Sequence, residues 1–365
     1  MERPLSVLHV TQPTDGGVSH VVLDLVADQV RRGLTVTVVS PGNDRFASSA
    51  NDVGATHEGW AATRAPGISV PSETARLSRI VRDLRPGLVH LHSSKAGLAG
   101  RLAIRGRLPT VFQPHAWSFL VGGSIGAAAL RWERWGARYS HAIVCVSERE
   151  CELGREAGIR GRFVVVPNGV DLVTFAEASE VERREARARL GLPACPLAVC
   201  IGRLSRQKGQ DVLLEAWPSV VARVPEARLV LVGDGADREQ LVATGREDVL
   251  LVGARNDIPE WLAAADVVVL PSRWEGMSLT MLEAMARGRS VVATDVAGAR
   301  EALGAGGGHL VPVEEPRVLA RALAERLLDP SLAAEEGRAG RRTAQRMHDV
   351  RRSSDAVAQL YGQLV

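Results

Sequence analysis

The sequence predicts an α/β protein built from two doubly wound domains. Apolar runs rich in Val, Leu and Ile recur along the chain, and segments long enough for helices separate them. Such runs are typical of strands in a parallel sheet that is covered on both faces. The alternation pauses once, at about residues 170–195, and then starts again. The 365 residues are enough for two domains of ordinary size.

The first series of elements fills residues 1–171, the predicted N-terminal domain. After the first strand, apolar residues at helical spacing from Val18 to Val30 predict a helix that ends at Gly33. Pro167 and the pair Asn168-Gly169 predict the turn that closes the series. The strands predicted in this series are Leu5–Thr11, Leu34–Ser40, Leu88–Ser93, Thr110–Gln113 and Ala142–Ser147.

The second series fills residues 172–345, the predicted C-terminal domain. It opens on a charged helical stretch, Val181–Leu190, and the chain closes on a second helical stretch, Leu332–Leu364, with no further strand. The strands predicted between them are Leu197–Gly202, Arg228–Val232, Val249–Val252, Val267–Leu270, Ser290–Ala293 and His309–Val313. Ligands of such sheets bind at the carboxyl ends of the strands, so the loops that follow these strands are the candidates for function.

Composition excludes several classes of protein. No run reaches the roughly 18 apolar residues of a membrane span, and the chain enters a strand without a secretory signal, so we expect a cytoplasmic protein. The net charge of +3 does not favour nucleic-acid binding. The four cysteines have no metal-site spacing and are expected to be buried thiols. Arg131, Arg134 and Arg138, with Trp132 and Trp135 between them, suit a helix at the inner face of an anionic membrane.

The most informative segment runs from Ser272 to Ala286, after the predicted strand Val267–Leu270. Glu275 lies in the loop after that strand, and Glu283 lies one turn into the next predicted helix. Two carboxylates around a phosphate cradle suit a sugar nucleotide, because each can accept hydrogen bonds from one sugar. Backbone N–H groups where the helix starts are a ready anion site. The residues concerned are Gly276, Met277, Ser278 and Leu279.

This segment resembles the E-x7-E motif of retaining glycosyltransferases of the GT-B fold, family 4 in particular, of the polysaccharide and natural-product type. The resemblance extends from Gly16 to the end of the chain. It implies two Rossmann-like domains facing a central cleft, with the acceptor on the N-terminal domain and the donor on the C-terminal one. It also implies that residues 346–365 form a helix that crosses back to the N-terminal domain. Glu275 would hold the donor sugar near its 3-hydroxyl, and Glu283 would bind the ribose.

Two cations precede a helix in the loop after strand Leu197–Gly202. Arg203 and Lys208 are five residues apart there, which suits a diphosphate, and the run resembles the family's G-R-x4-K-G segment. The resemblance implies that both stabilise the departing nucleoside diphosphate and serve as catalytic residues. It also implies that Gly233, at the end of strand Arg228–Val232, lies near the donor nucleotide and that Arg255 lies near its base.

Further candidates follow strands of the N-terminal domain. The resemblance assigns Gly16 to the acceptor and Gly17 to the donor phosphate, both in a loop where paired glycines allow close approach of a ligand. His115 matches a strand-end histidine beside the donor sugar and is a candidate catalytic residue. Lys95 could meet an acidic or phosphate-linked acceptor. Trp117 could stack on an acceptor sugar or lipid, or pack in the core.

The resemblance implies a retaining, metal-independent hexosyltransferase whose substrates are a UDP- or GDP-sugar and a hydroxyl acceptor. It would need no cofactor, because the nucleotide sugar is a substrate. Its products would be glycans, glycolipids or natural-product glycosides. A nucleotide-sugar epimerase of the same fold and a non-catalytic sugar-nucleotide-binding protein are the alternatives. The loop reads Trp-Glu-Gly-Met-Ser where many relatives have Phe-Gly after Glu-Gly, so the base and the sugar of the donor stay open.

Overall fold

The computed structural model describes residues 5–42, 44–63, 66–243 and 245–365. The chain folds into two compact units, one formed by Met1–Asn168 with Arg351–Val365 and the other by Gly169–Val350. Each unit contains one sheet in which every described strand pair is parallel. The predicted class, two doubly wound α/β domains, is therefore confirmed.

The first unit has a seven-stranded sheet. Its strands are β1 (Ser6–Thr11), β2 (Thr35–Ser40), β3 (Thr56–Gly59), β4 (Leu88–His92), β5 (Thr110–Gln113), β6 (Ala142–Cys145) and β7 (Phe163–Val165). The helices between them are α1 (Gly16–Arg31), α2 (Asp44–Asp52), α3 (Val70–Leu84), α4 (Ser93–Ile104), α5 (Gly123–Gly136) and α6 (Glu148–Glu156). The strand order is β3-β2-β1-β4-β5-β6-β7, so the direction of winding reverses between β1 and β4.

Glycines bring α4 close to the sheet of the first unit. A Cβ atom at Gly97 would lie 2.3 Å from the Phe112 ring, and one at Gly100 would lie 2.4 Å from the Leu91 side chain. Any larger residue at either place would push the helix away from β4 and β5. The middle of α4 is therefore held tightly against β4 and β5, and its first turn, which carries Lys95, follows β4 directly.

The second unit has a six-stranded sheet with the same winding. Its strands are β8 (Leu197–Ile201), β9 (Arg228–Val232), β10 (Val249–Gly253), β11 (Val267–Leu270), β12 (Ser290–Thr294) and β13 (Gly308–Val311), in the order β10-β9-β8-β11-β12-β13. Its helices are α7 (Glu180–Arg189), α8 (Gln210–Val221), α9 (Arg238–Val242), α10 (Ile258–Ala264), α11 (Leu279–Ala286), α12 (Ala299–Leu303), α13 (Pro316–Leu328) and α14 (Pro330–Met347). The buried apolar side chains of β8, β9 and β11 pack with Trp217 of α8 and Leu323 of α13 to form its core.

The closing helical stretch is two helices where the sequence predicts one. α14 ends at Met347, and α15 (Val350–Gly362) follows after a short break in which Asp349 pairs with Val170. The residues from Arg351 onward belong to the first unit. There Leu360 and Tyr361 of α15 pack in a cluster with β1, β4 and β5.

Two strands escape the sequence prediction. β3 and β7 are the edges of the first sheet, and their residues are exposed or half-buried. β3 reads Thr-His-Glu-Gly, so it lacks the apolar run that marks a central strand. The cysteines are free thiols; three are buried as predicted, whereas Cys195 is half-buried. No helix within the described residues combines the length and the apolar character needed to cross a bilayer.

Candidate active site

The two loops that carry the strongest sequence signals flank the switch point of the second sheet. β8 and β11 are neighbours although they are not consecutive, so the winding reverses between them. Open parallel sheets bind ligands at the carboxyl ends of the strands at such a point. Arg203 to Lys208 follow β8, and Ser272 to Ser278 follow β11. The topology therefore brings both segments together at the carboxyl ends of the two central strands of the second sheet.

Gly209 allows these two loops to touch. It has a φ of +66° and is the N-cap of α8, directly after a 3₁₀ turn at Arg206–Lys208. A Cβ atom at Gly209 would lie 2.0 Å from the carbonyl oxygen of Pro271. Only glycine fits both the dihedral angle and the space. The loop that carries Lys208 is thereby packed against the loop that carries Glu275.

Lys208 and Glu275 form an ion pair across the two loops. The Lys208 Nζ atom donates a hydrogen bond to Oε1 of Glu275, and Ser272 Oγ donates to the same oxygen at 2.8 Å. The side chains are 20% and 12% exposed, so the pair is shielded yet open to a ligand. Arg203, from the same loop as Lys208, is exposed to solvent. The structure thus brings Lys208 and Glu275 together and leaves Arg203 available at the surface.

Arg273 fastens the two loops, a role that the sequence did not reveal. Its guanidinium donates to both oxygens of Asp211, at 2.9 and 2.7 Å, and to the backbone oxygen of Arg206 at 2.8 Å. The hydrogen bonds from Arg273 hold the pKa of the Asp211 carboxyl below its usual value. Gln207 Nε2 also donates to the backbone oxygen of Trp274 at 3.0 Å. A charged loop residue of this kind has no sequence signal that separates it from a solvated arginine.

The start of α11 forms the rest of this region. Ser278 is the N-cap, and its hydroxyl accepts a hydrogen bond from the Met281 backbone N–H at 3.4 Å. Gly298 packs against this turn, because a Cβ atom there would lie 2.1 Å from the carbonyl oxygen of Gly276. Glu283 lies on α11 and is 8% exposed. Glu275 and Ser278 also line a small pocket with Leu270, Ser272, Met281, Ala293, Thr294, Val296, Ala297 and Ala299.

Gly233 and Arg255 lie at the ends of β9 and β10 in the same sheet. A Cβ atom at Gly233 would lie 2.0 Å from the carbonyl oxygen of Gly202, so glycine permits close approach of the two strand ends. Arg255 is paired with Asp257 at 2.7 and 3.0 Å and lies over the Trp261 ring. Their roles toward a nucleotide stay predictions.

In the first unit, His115 lies in a strained turn after β5. The φ angles of His115 and Ala116 are 54° and 90°, a region that non-glycine residues rarely adopt and that clusters at functional sites. The buried Glu150 carboxylate holds this turn: it accepts from the Ala116 backbone N–H and from the Val146 backbone N–H, both at 2.7 Å. Sequence reasoning missed Glu150, which reads as an ordinary charge in the first turn of α6.

Trp117 is buried in the core of the first unit, whereas its predicted acceptor role calls for an exposed ring. It is 1% exposed, its Nε1 donates to the Glu150 backbone oxygen at 2.7 Å, and its ring stacks on Phe119 at a centroid distance of 5.5 Å. The indole is thus enclosed in the core, and its N–H group has a hydrogen-bond partner. The alternative that the sequence left open, core packing, is correct.

The sequence predicts that Lys95 meets an acidic acceptor, but in the structure Lys95 is held in a buried ion pair. Its side chain is 2% exposed, and Nζ lies 2.7 Å from Oε2 of Glu73, whose side chain is 1% exposed. Burial raises the pKa of Glu73, but hydrogen bonds from Lys95, Thr63 and Ser69 outweigh burial and hold it below its usual value. An acidic acceptor would have to displace this carboxylate from a buried pair. Lys95 therefore ties α4 to α3.

The glycine loop after β1 has an open surface. Gly16 begins α1 with a φ of +70°, and both Gly16 and Gly17 are exposed. Ser19 Oγ donates to the Gly16 backbone oxygen at 2.7 Å and fixes the turn. A Cβ atom at Gly16 would meet nothing within 4 Å, so glycine is needed there for the backbone angle alone. The binding roles of both glycines stay predictions.

Three buried histidines form the one group of possible metal ligands found among the described residues. Nitrogens of His9, His90 and His92 all lie within 4.8 Å of one another. Two of these nitrogens are already hydrogen-bonded to each other, because His9 Nδ1 lies 2.9 Å from His92 Nε2. The cluster comes from strand register: His9 of β1 is opposite His90 of β4, and His92 follows two residues later on the same face.

Comparison with known proteins gives the family. Residues 15–174 match the family model described as Glycosyltransferase Family 4, and residues 195–329 match that described as Glycosyl transferases group 1. The chain is 30% identical over 378 residues to a D-inositol 3-phosphate glycosyltransferase of Kineococcus radiotolerans, covering 90% of this chain and 86% of that one. It is 32% identical over 242 residues to UDP-Gal:alpha-D-GlcNAc-diphosphoundecaprenol alpha-1,3-galactosyltransferase of Escherichia coli, covering 61% of each.

The fold is similar to those of solved glycosyltransferase structures. HepE of Anabaena in complex with UDP-glucose has a TM-score of 0.86 and 23% identity, covering 99% of this chain and 100% of that one. WaaG, involved in lipopolysaccharide biosynthesis, has a TM-score of 0.76 and 17% identity, covering 97% and 99%. The family models, the relatives and the solved structures all agree with the loops found at the strand ends. The chain therefore belongs to the family 4 glycosyltransferases of the GT-B fold, which use nucleotide sugars.

Proposed function

We propose that this protein is a retaining, metal-independent hexosyltransferase that uses a UDP- or GDP-sugar and a hydroxyl acceptor. The observation that carries the proposal is the ion pair between Lys208 and Glu275 at the switch point of the second sheet. One group of this pair suits a diphosphate and the other suits sugar hydroxyls. The relatives support this class of donor: one is named as a UDP-Gal enzyme and another as GDP-mannose-dependent.

The residues around this pair take the following roles in the proposal. Arg203 and Lys208 neutralise the charge that develops on the diphosphate as it leaves, which a metal ion does in other transferases. Glu275 binds the donor sugar near its 3-hydroxyl, and Glu283 binds the ribose. Backbone N–H groups of Gly276 to Leu279 face the diphosphate at the start of α11.

The acceptor belongs to the first unit in this proposal, near Gly16 and the turn at His115. The sugar is transferred to the acceptor oxygen on the face from which the diphosphate leaves, so the anomeric configuration is kept. A phosphate oxygen of the donor accepts the acceptor's proton. The carbon–oxygen bond to the diphosphate breaks as the new glycosidic bond forms, and no oxidant or reductant is needed.

Helix α5 supports a further part of the proposal, contact with an anionic membrane surface. Ile125 is 73% and Trp135 is 42% exposed, Arg131 and Arg134 of the same helix are exposed, and Arg138 is exposed just after it. A helix that exposes apolar and cationic side chains suits the boundary between lipid headgroups and acyl chains. A lipid-linked acceptor would be met there. The neighbouring Trp132 differs from its sequence expectation, because it is half-buried and packs against the guanidinium of Arg101.

The experiment that tests this function is donor screening followed by product analysis. UDP- and GDP-linked glucose, galactose and mannose are compared for thermal stabilisation of the full chain. A donor at about 100 times its dissociation constant should add roughly 2.7 kcal/mol of stability. NMR of the product with the best donor then reads the new linkage. A linkage that keeps the donor's anomeric configuration supports the proposal, and an inverted linkage or an epimerised donor without acceptor contradicts it.

A further inference from the structure

Four histidine side chains of the first unit lie in one hydrogen-bonded cluster. His115 Nε2 lies 3.1 Å from His92 Nδ1, and His92 Nε2 lies 2.9 Å from His9 Nδ1. His9 Nε2 in turn lies 2.8 Å from Oε1 of Gln29. The result is a continuous relay, Gln29–His9–His92–His115, that runs from α1 through β1 and β4 to the turn after β5.

The relay leads from the core of the first unit to the turn after β5. His9, His90 and His92 are 0% exposed, whereas His115 is half-buried at a strand end. Consecutive rings of the relay stack, with centroids 5.2 Å apart for His9 and His92 and 5.4 Å apart for His92 and His115. Only the last member can reach a ligand, so the other members act on a ligand through His115.

The protonation of the relay follows from Gln29. Its Nε2 donates to the hydroxyl of Tyr361 at 3.5 Å, which directs Oε1 toward His9. A carbonyl oxygen only accepts, so His9 must carry its proton on Nε2. A neutral imidazole has one donor and one acceptor nitrogen. His9 Nδ1 therefore accepts from His92 Nε2, and His92 Nδ1 accepts from His115 Nε2.

Burial keeps these rings neutral, as the relay requires. It lowers the pKa of His9 to about 4 and that of His115 to about 3, and it holds the pKa of His92 well below its ordinary value. Each ring then has one N–H group at neutral pH. The side-chain amide of Gln29 therefore fixes the donor and the acceptor in all three hydrogen bonds of the relay.

The His90 branch fits the same protonation. Tyr361 accepts from Gln29 and donates to His90 Nδ1 at 2.7 Å, so His90 carries its proton on Nε2. That nitrogen and Oε1 of Gln113 are both buried and have no other hydrogen-bond partner at normal distance. A proton on His90 Nε2 can be donated to the neighbouring Gln113 carbonyl oxygen. The oxygens of Gln29 and Gln113 therefore both favour a proton on Nε2 of the histidine that each faces.

We propose that Gln29, His9 and His92 are positioning residues that lock His115 in the tautomer with its proton on Nε2. Nδ1 of His115 is then a permanent acceptor, matched to a hydroxyl group of the donor sugar. This last step rests on the proposed function, whereas the tautomer does not. A histidine without the relay would exchange between two tautomers and would present an N–H group to the sugar part of the time.

The test uses the full chain with isotope-labelled histidine rings and nitrogen NMR at neutral pH without donor. His115→Asn assigns the signals. The expected result is a protonated Nε2 and a bare Nδ1 on His115. Gln29→Met should move His115 toward the opposite tautomer, because His9 Nε2 loses its acceptor. Gln113→Met is the matched control: the same substitution, in a buried glutamine beside the cluster but outside the relay, should leave His115 unchanged.

Three results would overturn the relay. They are a charged or Nδ1-protonated His115 in the unaltered chain, an unchanged His115 in Gln29→Met, and binding of one Zn²⁺ per chain that removes the His9 and His92 proton signals. A metal ion needs lone pairs on nitrogens that the relay uses for hydrogen bonds, so the two arrangements exclude each other.

Kinetics tests the contact with the sugar separately. Gln29→Met should lower kcat/KM for the donor roughly 10-fold, the value of one hydrogen bond. Its affinity for the free nucleoside diphosphate, which has no sugar, should be unchanged. If the tautomer shifts as expected and kcat/KM does not, the relay stands and the role of His115 toward the sugar fails. If no donor is turned over at all, the proposed function fails and the NMR result still decides the relay.

Discussion

Lys208 donates a hydrogen bond to Glu275, so the cation predicted for the diphosphate and the carboxylate predicted for the sugar form one ion pair. In the free protein, each group satisfies the other in a partly buried place. A nucleotide sugar offers both groups better partners, since its phosphates are anionic and its hydroxyls are donors. Donor binding would therefore replace one internal ion pair by two contacts to the ligand.

The first prediction concerns the diphosphate clamp. In the proposed function, Lys208→Ala and Arg203→Ala would each remove a charge-assisted hydrogen bond to the leaving group, worth about 1.5–3 kcal/mol. We expect turnover to fall roughly 10–150-fold in each variant. Arg206→Ala is the matched control, because Arg206 is an exposed cation of the same loop with no predicted contact to the donor. Initial rates at saturating acceptor measure the effect. If all three variants have the same rate, Arg203 and Lys208 contact solvent and not the diphosphate.

The second prediction concerns metal ions. In the proposed function, Lys208 takes the role of a metal ion toward the diphosphate, and it is paired with Glu275, the carboxylate of the loop after β11. Turnover should therefore persist in excess EDTA. Rates are measured with and without EDTA, and again after adding Mn²⁺ or Mg²⁺. A loss in EDTA that either ion restores would contradict the proposed electrostatic role of Arg203 and Lys208.

The sequence predicted the central strands of both sheets and the loops at their carboxyl ends, because buried parallel strands have apolar runs that end at the site. It could not predict Arg273 or Glu150. Arg273 binds Asp211, 62 residues away, and Glu150 binds the Ala116 backbone, 34 residues away. Such contacts depend on which loops the topology brings together, and neither residue type nor local spacing records that.

The two lysines also show that residue type and local spacing do not predict long-range contacts. Both stand out in a chain that otherwise uses arginine, yet Lys208 pairs at the candidate site and Lys95 pairs inside the first unit. Their burial, and not their spacing, separates the two. The histidine relay was equally hidden, because it depends on the register that sets His9 opposite His90.

The third prediction is a loss of stability in acid. Burial lowers the pKa of His9 to about 4 and of His115 to about 3, from 6.5. Below pH 6.5 the unfolded chain binds protons that the folded chain excludes, so stability rises with pH there. It is fully present above 6.5 and is lost as pH falls toward 4. Each of these histidines contributes a slope of roughly 1.4 kcal/mol per pH unit.

Hydrogen exchange of the β4 amides measures this slope for the first unit. His115→Asn should reduce it by about one histidine's share, and Asn tolerates the positive φ at this residue. His309→Asn, an exposed histidine of the second unit, is the control and should leave the slope unchanged. An opening free energy that is flat between pH 4 and 6.5 would show that the cluster protonates without unfolding.

The fourth prediction concerns the membrane. Arg131→Glu with Arg134→Glu should abolish co-sedimentation with anionic vesicles, because each basic residue near the surface contributes about 1 kcal/mol. Removing two charges alone predicts a roughly 30-fold weaker binding. Arg79→Glu with Arg82→Glu on α3 makes the same change of charge at exposed residues outside α5. Equal loss in both double variants would indicate net charge as the cause, and α5 would not be the binding surface.

The last prediction separates the roles of the two carboxylates. Glu275 is proposed to bind the donor sugar, whose positive charge grows in the transition state, so Glu275→Ala should lower turnover much more than nucleotide affinity. Glu283 is proposed to bind the ribose, which is present before and after transfer, so Glu283→Ala should weaken binding of the free nucleoside diphosphate. Glu275→Gln is the matched control for shape, since it keeps an oxygen for Lys208 and removes the charge. Isothermal titration with the nucleoside diphosphate and initial rates with the intact donor measure both effects. Equal losses of nucleotide affinity in the Glu275 and Glu283 variants would contradict this division of roles, and an unimpaired rate in Glu275→Ala would remove Glu275 from the active site.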